Sequence, residues 1–423
     1  IYLDKVYIKR GNYNMNSSKF KQYNFNAIAI RDYYPSKEQP TNSLWVYEQV
    51  KGLQKYGINS LVVSPSPYIP KILRNTKRFY KYPYINRNIE NYKDTYVIRY
   101  PYIKLPSKYF LKYNTLMVNH ILKKYISKFK PLIIHAHFGR NGVAAVKDCK
   151  NKNIPLVTFF YGDDVGVAEY ANKLKKYYLN LMRWGDLFIA LSIDMRKDLI
   201  NMGFPPEKTI VHHLGIDLSS FNPRKKDKEN EQIIFLCAGR FHKYKGAQDC
   251  IKAFAIVAEK YNNIQLRLIG DGPYIDNLKM LCNELNINDK IIFINNFKMD
   301  NPRKVVLDEM NNADVFLFTP FESEIGMKTG TPVVLMEAQA MQLPCIATDH
   351  AGIPEVLDFG RSGILVRQRD IEQIANKMEE LINNKEKRIN LGLSGREYIE
   401  KEFNLDRQIY KLSEIYHNLI SKK

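Results

Sequence analysis

The sequence predicts an α/β protein made of two consecutive doubly wound domains with a cleft between them. Three observations carry this. Short apolar runs alternate with stretches of helical spacing along most of the chain, the pattern of parallel strands crossed by helices. The alternation breaks at Asn222 to Glu231, where Pro223 and the run Arg224-Lys225-Lys226 make the best linker. The charge divides at nearly the same place. Residues 1–215 carry 35 Lys and Arg against 14 Asp and Glu, residues 216–423 carry 29 against 30, and the net +20 therefore belongs to the first half. Halves of such different balance face different partners. The expected domains are 1–221, with 1–23 irregular, and 232–403. A C-terminal helix over 404–423 has the first domain as a candidate surface to pack back on.

In the first half, Phe25 to Arg31 reads as a strand. A turn-rich stretch from Tyr34 to Ser43 precedes Leu44 to Tyr56, which has helical spacing and stops at Gly57. Ile58 to Ser64 is the next strand. Ser107 to Phe129 reads as an amphipathic helix. Lys112, Asn119, Lys123 and Lys130 lie on one line, Phe110, Met117, Ile121 and Tyr125 lie opposite, and Leu116 and Lys124 are exceptions. Such a helix can lie on anionic lipid or pack its apolar face on its own domain, and both readings stay open. Leu132 to Ala136, Leu156 to Phe160, Leu187 to Leu191 and Ile210 to His213 are strands. The segments between them, Val143 to Lys150, Ala168 to Trp184 and Ser192 (as N-cap) to Met202, are helices.

In the second half the strands are Ile233 to Ala238, Gln265 to Ile269, Ile291 to Ile294, Val315 to Phe318, Cys345 to Ala347 and Gly363 to Val366. Helices separate them and close the chain over Asp370 to Phe403 and Leu405 to Ser421. The stretch Gly326 to Leu357 stands out. A Gly- and Thr-rich loop ending at Pro332 precedes a helical segment around Glu337, then a strand, then a second loop from Asp349 to Pro354. Glycine turns before helix starts let a chain come close to an anion.

Composition narrows the function. With 45% hydrophobic and 12% aromatic residues the 423-residue chain is globular, and no apolar run reaches the ~18 residues of a membrane span. Five scattered cysteines without a C-x-x-C pair point to a reducing compartment and away from structural zinc. No secretory signal is visible, and a chain beginning at Ile1 leaves a preceding segment open.

Arg240 and Lys245, between a strand end and a helix start, suit a diphosphate. Gly270-Asp271-Gly272-Pro273 is a turn and not the dinucleotide fingerprint. The pairs His135/His137 and His212/His213 lack a matching Cys or carboxylate cluster, so no metal is expected. Asp163-Asp164 could hold Mg²⁺ beside a nucleotide, but a turn or helix-cap role is favoured. No nucleophile elbow and no Walker loop occurs.

Taken together, Cys237 to Arg240 with Lys245-Gly246, Leu268 to Pro273, and the Gly326–Leu357 stretch resemble family 4 glycosyltransferases in order and spacing. The first half adds Asn42-Ser43, His135 to Gly139, Phe160 to Asp164 and Gly215-Ile216-Asp217. The resemblance covers about residues 25–410 and is nearest the colanic-acid and exopolysaccharide type. It implies the GT-B fold, two Rossmann-like domains around a cleft, and retaining transfer of a hexose from a UDP-, GDP- or other nucleotide-sugar without a metal. The implied acceptor is a lipid-linked or surface-polysaccharide glycan at the cytoplasmic membrane face. The basic first domain would meet anionic lipid there, and no nucleic acid is involved.

By resemblance, Arg240 and Lys245 bind the donor diphosphate and stabilise the leaving group, and Glu337 holds the ribose. Backbone N–H groups of Val334, Leu335 and Met336 meet the phosphates. Gly215, Gly239, Thr329, Gly330 and Gly352 complete the donor side. Ser43, His137, Tyr161 and Asp164 face the sugar or acceptor. Two positions depart from the family: Thr329 stands where the first Glu of its E-x7-E element belongs, and Tyr161 where many members have His. Glu322 or Glu324 could compensate through a shifted loop. The competing readings are a nucleotide-sugar epimerase and a nucleotide-sugar-binding protein with reduced catalysis.

Overall fold

A computed structural model of the chain describes residues 24–37, 39–40, 42–67, 89–102, 107–165, 168–223, 232–324 and 326–423, with backbone only at 67, 102, 107–114, 163 and 168–175. The expected irregular segment at 1–23, most of the linker, and the Phe110, Lys112 and Asp163 side chains lie outside that description.

Among the described residues the first domain is built on an eight-stranded sheet. Its strands are β1 (Ala27–Ile30), β2 (Ser60–Pro67), β3 (Ile89–Tyr92), β4 (Thr95–Tyr102), β5 (Ile133–His137), β6 (Leu156–Phe159), β7 (Leu187–Ala190) and β8 (Thr209–Val211). Their spatial order is β3-β4-β2-β1-β5-β6-β7-β8. All pairings are parallel except β3 with β4. β1 and β5 are buried along their whole length, as expected for parallel strands covered by helices on both faces. The covering helices are α1 (Leu44–Leu53), α2 (Ser107–Phe129), α3 (Gly139–Lys152), α4 (Ala168–Trp184) and α5 (Ile193–Met202).

The sequence reading missed the β3–β4 hairpin. Its two-residue turn is Lys93-Asp94, both at positive φ (47° and 66°), the geometry that Asn-Gly usually advertises. α3, expected over Val143 to Lys150, instead begins at Gly139. Within α2, Val118, Ile121, Leu122, Tyr125 and Ile126 are buried in the domain's core, so over its described side chains the apolar face packs on its own domain.

The second domain carries a six-stranded parallel sheet: β9 (Ile233–Ala238), β10 (Ile264–Ile269), β11 (Ile291–Ile294), β12 (Val315–Phe318), β13 (Cys345–Thr348) and β14 (Ile364–Val366). The spatial order is β11-β10-β9-β12-β13-β14. Its helices are α6 (Ala247–Ala258), α7 (Ile275–Glu284), α8 (Pro302–Asn312), α9 (Val333–Ala340), α10 (Ile353–Val356), α11 (Ile371–Asn383) and α12 (Lys385–Glu402). At the start of α6, Gly246 has φ +80°, and a Cβ there would fall 1.7 Å from the Thr319 carbonyl oxygen, so only glycine fits.

The last helix, α13 (Leu405–Ser421), returns to the first domain. Its Ile409, Leu412 and Tyr416 are buried in that domain's core, and the Tyr416 hydroxyl hydrogen-bonds His135 Nδ1. Each sheet reverses its winding once, between β1 and β5 and between β9 and β12, and such switch points open a crevice at the strands' carboxyl ends. Arg31 and His137 stand at the first crevice, Arg240 and Thr319 at the second.

Candidate functional site

Two cavities lie on either side of the first turn of α9. The first has a volume of about 250 Å³ and is bordered by Gly239, Arg240, Lys245, Thr329, Gly330 and Val334, among others. It holds two cations and no carboxylate. The second, about 310 Å³, lies between the domains: Trp45 and Glu48 of α1 face Phe297, Arg303, Val333 and Glu337 across it.

The cationic cavity is built from loops. β9 ends at Ala238, and Gly239 after it leaves Arg240 exposed at the rim. Lys245 sits in the turn before α6 and donates to Thr329 Oγ1 at 3.2 Å. The buried Thr329 donates its N–H to His350 Nε2 at 3.0 Å. Burial pushes the His350 imidazole down to about 4, so it stays neutral and able to accept.

The backbone donors differ from expectation. Leu335 and Met336 both give their N–H to Pro332 O, at 3.1 and 3.4 Å, and their side chains are fully buried in the core. The amides left for an anion are those of Val333 and Val334, which have no backbone acceptor among the described residues. Neither Glu322 nor Glu324 replaces the missing carboxylate. Both are exposed away from the cavity, and Glu324 lies 3.9 Å from Lys243.

The second cavity is acidic. Glu337 Oε1 lies 3.4 Å from Arg303 Nη1, and burial pushes its carboxyl up against the pull of Arg303. Glu48 is pushed up to about 7 by burial, again opposed by Arg303, with Asp217 and Glu337 adding repulsion. Gly215 borders this cavity and not the cationic one. A Cβ there would come within 2.6 Å of Leu405 Cα, so its small size serves the chain returning toward α13. Gly352, expected on the donor side, borders neither cavity. It abuts the first domain, where a Cβ would stand 2.9 Å from Ser192 Cβ.

On the first domain's side, Ser43 precedes α1 in a left-handed conformation (φ 50°) and accepts Arg31 Nε at 2.8 Å. His137 is fully buried and pairs through Nδ1 with the Tyr161 hydroxyl at 2.8 Å. Tyr161 stacks on Phe138 with ring centroids 4.5 Å apart. Asp164 does not face the sugar side. Its Oδ1 accepts Gly139 N–H (3.1 Å) and the Tyr178 hydroxyl (3.2 Å), and its Oδ2 accepts Tyr161 N–H (3.1 Å). It therefore caps α3, and burial raises it to about 6.

The sequence reading did not single out Arg31, Glu48, Arg303, Lys328 or His350. None forms a motif, and their partners are remote in the chain. Among the described residues no group of three or more His, Cys, Asp or Glu side chains is arranged to hold a metal ion.

Two doubly wound domains facing across a cleft, each offering its switch point to the other, define the GT-B class. Comparison with known proteins refines this. Residues 44–220 match the model of glycosyltransferase family 4 and residues 219–398 that of glycosyl transferases group 1. The chain belongs to the family 4 glycosyltransferases. It is 30% identical over 289 residues to the amylovoran biosynthesis glycosyltransferase AmsK of Erwinia amylovora, covering 68% of this chain and 70% of that one. It is also 30% identical over 273 residues to WcaL of Escherichia coli, a glycosyltransferase named for colanic acid biosynthesis, covering 64% and 66%. The chain thus spans about two thirds of the length of these relatives. Among solved structures it resembles the sucrose-phosphate synthase of Thermosynechococcus elongatus, with TM-score 0.72, 17% identity and 94% and 100% coverage. HepE of Anabaena in complex with UDP-glucose gives TM-score 0.67, 17% identity and 93% and 99% coverage.

Proposed function

We propose that the protein is a retaining glycosyltransferase that moves a hexose from a nucleotide-diphosphate sugar to a lipid-linked or surface-polysaccharide acceptor. The observation that carries this is the cationic cavity with Arg240 and Lys245 and without a carboxylate, beside the free amides of α9. Next to it lies the acidic cavity containing Glu337. A nucleoside would occupy the second cavity, with Glu337 accepting from its ribose hydroxyls. The diphosphate would lie over the start of α9, and the sugar would face Thr329. As the glycosidic bond breaks, negative charge grows on the leaving phosphate, and Arg240, Lys245 and the Val333 and Val334 amides would be the groups to meet it. These cations supply the charge that a metal would otherwise bring, so transfer should proceed in chelator. The retaining outcome rests on family membership, and the UDP-glucose bound by the structurally similar HepE supports a UDP-type donor.

The acceptor side rests on charge. Lys123, Lys124 and Lys128 of α2, Lys130 just after it, and Lys147, Lys150 and Lys152 of α3 are all exposed, while Asp148 between them is buried against Asn119 at 2.7 Å. Each lysine near an anionic bilayer contributes roughly 1 kcal/mol, which fits work at the inner face of the cell membrane. Among the described residues no helix is long and apolar enough to cross a membrane. Co-sedimentation with phosphatidylglycerol vesicles tests this, and binding unchanged after Lys147, Lys150 and Lys152→Gln would refute it.

Arg240→Ala is the test of the donor assignment. It should abolish sugar transfer and leave the melting temperature unchanged, because Arg240 is exposed at the rim. Turnover at the wild-type rate would overturn the reading.

A further inference from the structure

We infer that Lys328 is a positioning residue for the cationic cavity, seated in a two-carboxylate socket that the other domain provides. The inference rests on the reading of that cavity as a phosphate site. Lys328 Nζ lies 3.2 Å from Asp194 Oδ2 and 3.0 Å from Asp198 Oδ2, and all three side chains are a quarter to a third exposed. Asp194 sits in the first turn of α5, where the helix dipole favours a carboxylate. Asp198, one turn on, has no such reason, and two carboxylates four residues apart repel each other unless a cation lies between them. Lys328 is that cation.

The same end of α5 is held by three further contacts from the second domain. Glu355 Oε1 accepts the Ile193 N–H at 2.7 Å, the Thr331 hydroxyl donates to Leu191 O at 2.9 Å, and Gly352 packs against Ser192. Lys328 and Thr331 bracket Thr329 and Gly330, which border the cavity. Thr329 in turn carries the hydroxyl that Lys245 Nζ meets. One wall of the cavity is therefore fixed at both ends to a helix of the first domain. It has its shape only while the domains touch, whereas Arg240 on the opposite wall is independent of that contact.

The test uses the full chain, with UDP and GDP as probes. Lys328→Met should weaken binding of whichever nucleotide the wild type binds by roughly five- to tenfold. It should also speed hydrogen exchange at the amides of Thr329 to Val334 selectively, with the rest of the second domain unchanged. The swapped pair Lys328→Asp with Asp198→Lys should recover most of both effects, and Asp198→Lys alone should not. A merely structural ion pair would lower the melting temperature and leave local exchange and nucleotide affinity alone, and that result overturns the inference. If neither nucleotide binds the wild type, the phosphate reading of the cavity fails. The exchange measurement then decides the Lys328 assignment alone: no selective change in the Lys328→Met protein refutes it.

Discussion

Replacing Glu355 by Gln should make the protein more stable above neutral pH and leave it unchanged in mild acid. Glu355 reaches from the second domain to the start of α5, and its Oε2 lies 3.7 Å from His213 Nε2. Burial pushes its carboxyl up to about 7 from an ordinary 4.5. Asp194 adds repulsion, while the Ile193 and Asp194 amides and Lys197 pull the other way. Burial pushes His213 down, so a charged imidazole does not balance it. The folded state thus holds this proton more tightly than the unfolded chain. Its stabilising effect is fully present below pH 4.5 and is lost as the pH rises through about 7. The full shift corresponds to ~3 kcal/mol at about 1.4 kcal/mol per tenfold. Screening at the solvated seam between domains should leave roughly 1–2 kcal/mol. Glutamine keeps an oxygen for the Ile193 N–H and does not titrate. Thermal scans of wild type and variant should superimpose at about pH 4, below the unfolded value, and at pH 8.5 the variant should melt roughly 2–8 °C higher. A variant melting below wild type at pH 8.5 would refute the reasoning. It would show that the ionised carboxylate at the helix N-terminus stabilises more than its burial costs.

Three other substitutions probe separate parts of the argument. Thr329→Val removes the hydroxyl that Lys245 meets and should weaken UDP binding by about three- to tenfold, read by calorimetry, with the melting temperature held. Equal affinity would mean that Lys245 needs no such support. Gly246→Ala places a methyl group on the Thr319 carbonyl at φ +80° and should cost more than about 2 kcal/mol in denaturant unfolding. A loss below about 0.5 kcal/mol would show that the turn relaxes freely. Tyr416→Phe deletes the buried bond to His135 and should cost about 1–3 kcal/mol, and wild-type stability would place α13 outside the cooperative unit.

Much of this architecture was legible because parallel sheets announce themselves locally. The apolar run from Ile233 to Ala238 is a strand residue for residue, and Ser192 caps α5 by accepting Met195 N–H at 3.1 Å. Arg240, Lys245, Thr329, Gly330 and Val334 also converge on one cavity, since each follows a strand end and strand ends in such a sheet share an edge. What the sequence hid depends on geometry without a compositional sign. The Lys93-Asp94 turn adopts a glycine-like shape without glycine. The turn or helix-cap role favoured for Asp164 does not tell that its donors come from Gly139, Tyr161 and Tyr178. The α9 amides open to an anion shift because the Pro332 carbonyl, at the helix N-cap, already accepts from Leu335 and Met336. Lys328 finds Asp194 and Asp198 more than a hundred positions away, a pairing that no local pattern records.

The return of α13 separates the order of synthesis from the order of completion. Tyr416 meets His135 across 281 positions, and Ile409 fills the space against Gly52, where an added methyl group would come within 2.9 Å. A ribosome adding about 5–20 residues per second delivers these side chains only after the entire second domain has emerged. During that interval the first domain carries an open apolar slot beside α1. The chain that is made first is thus finished last, and its nascent form offers chaperones a surface that the mature protein no longer has.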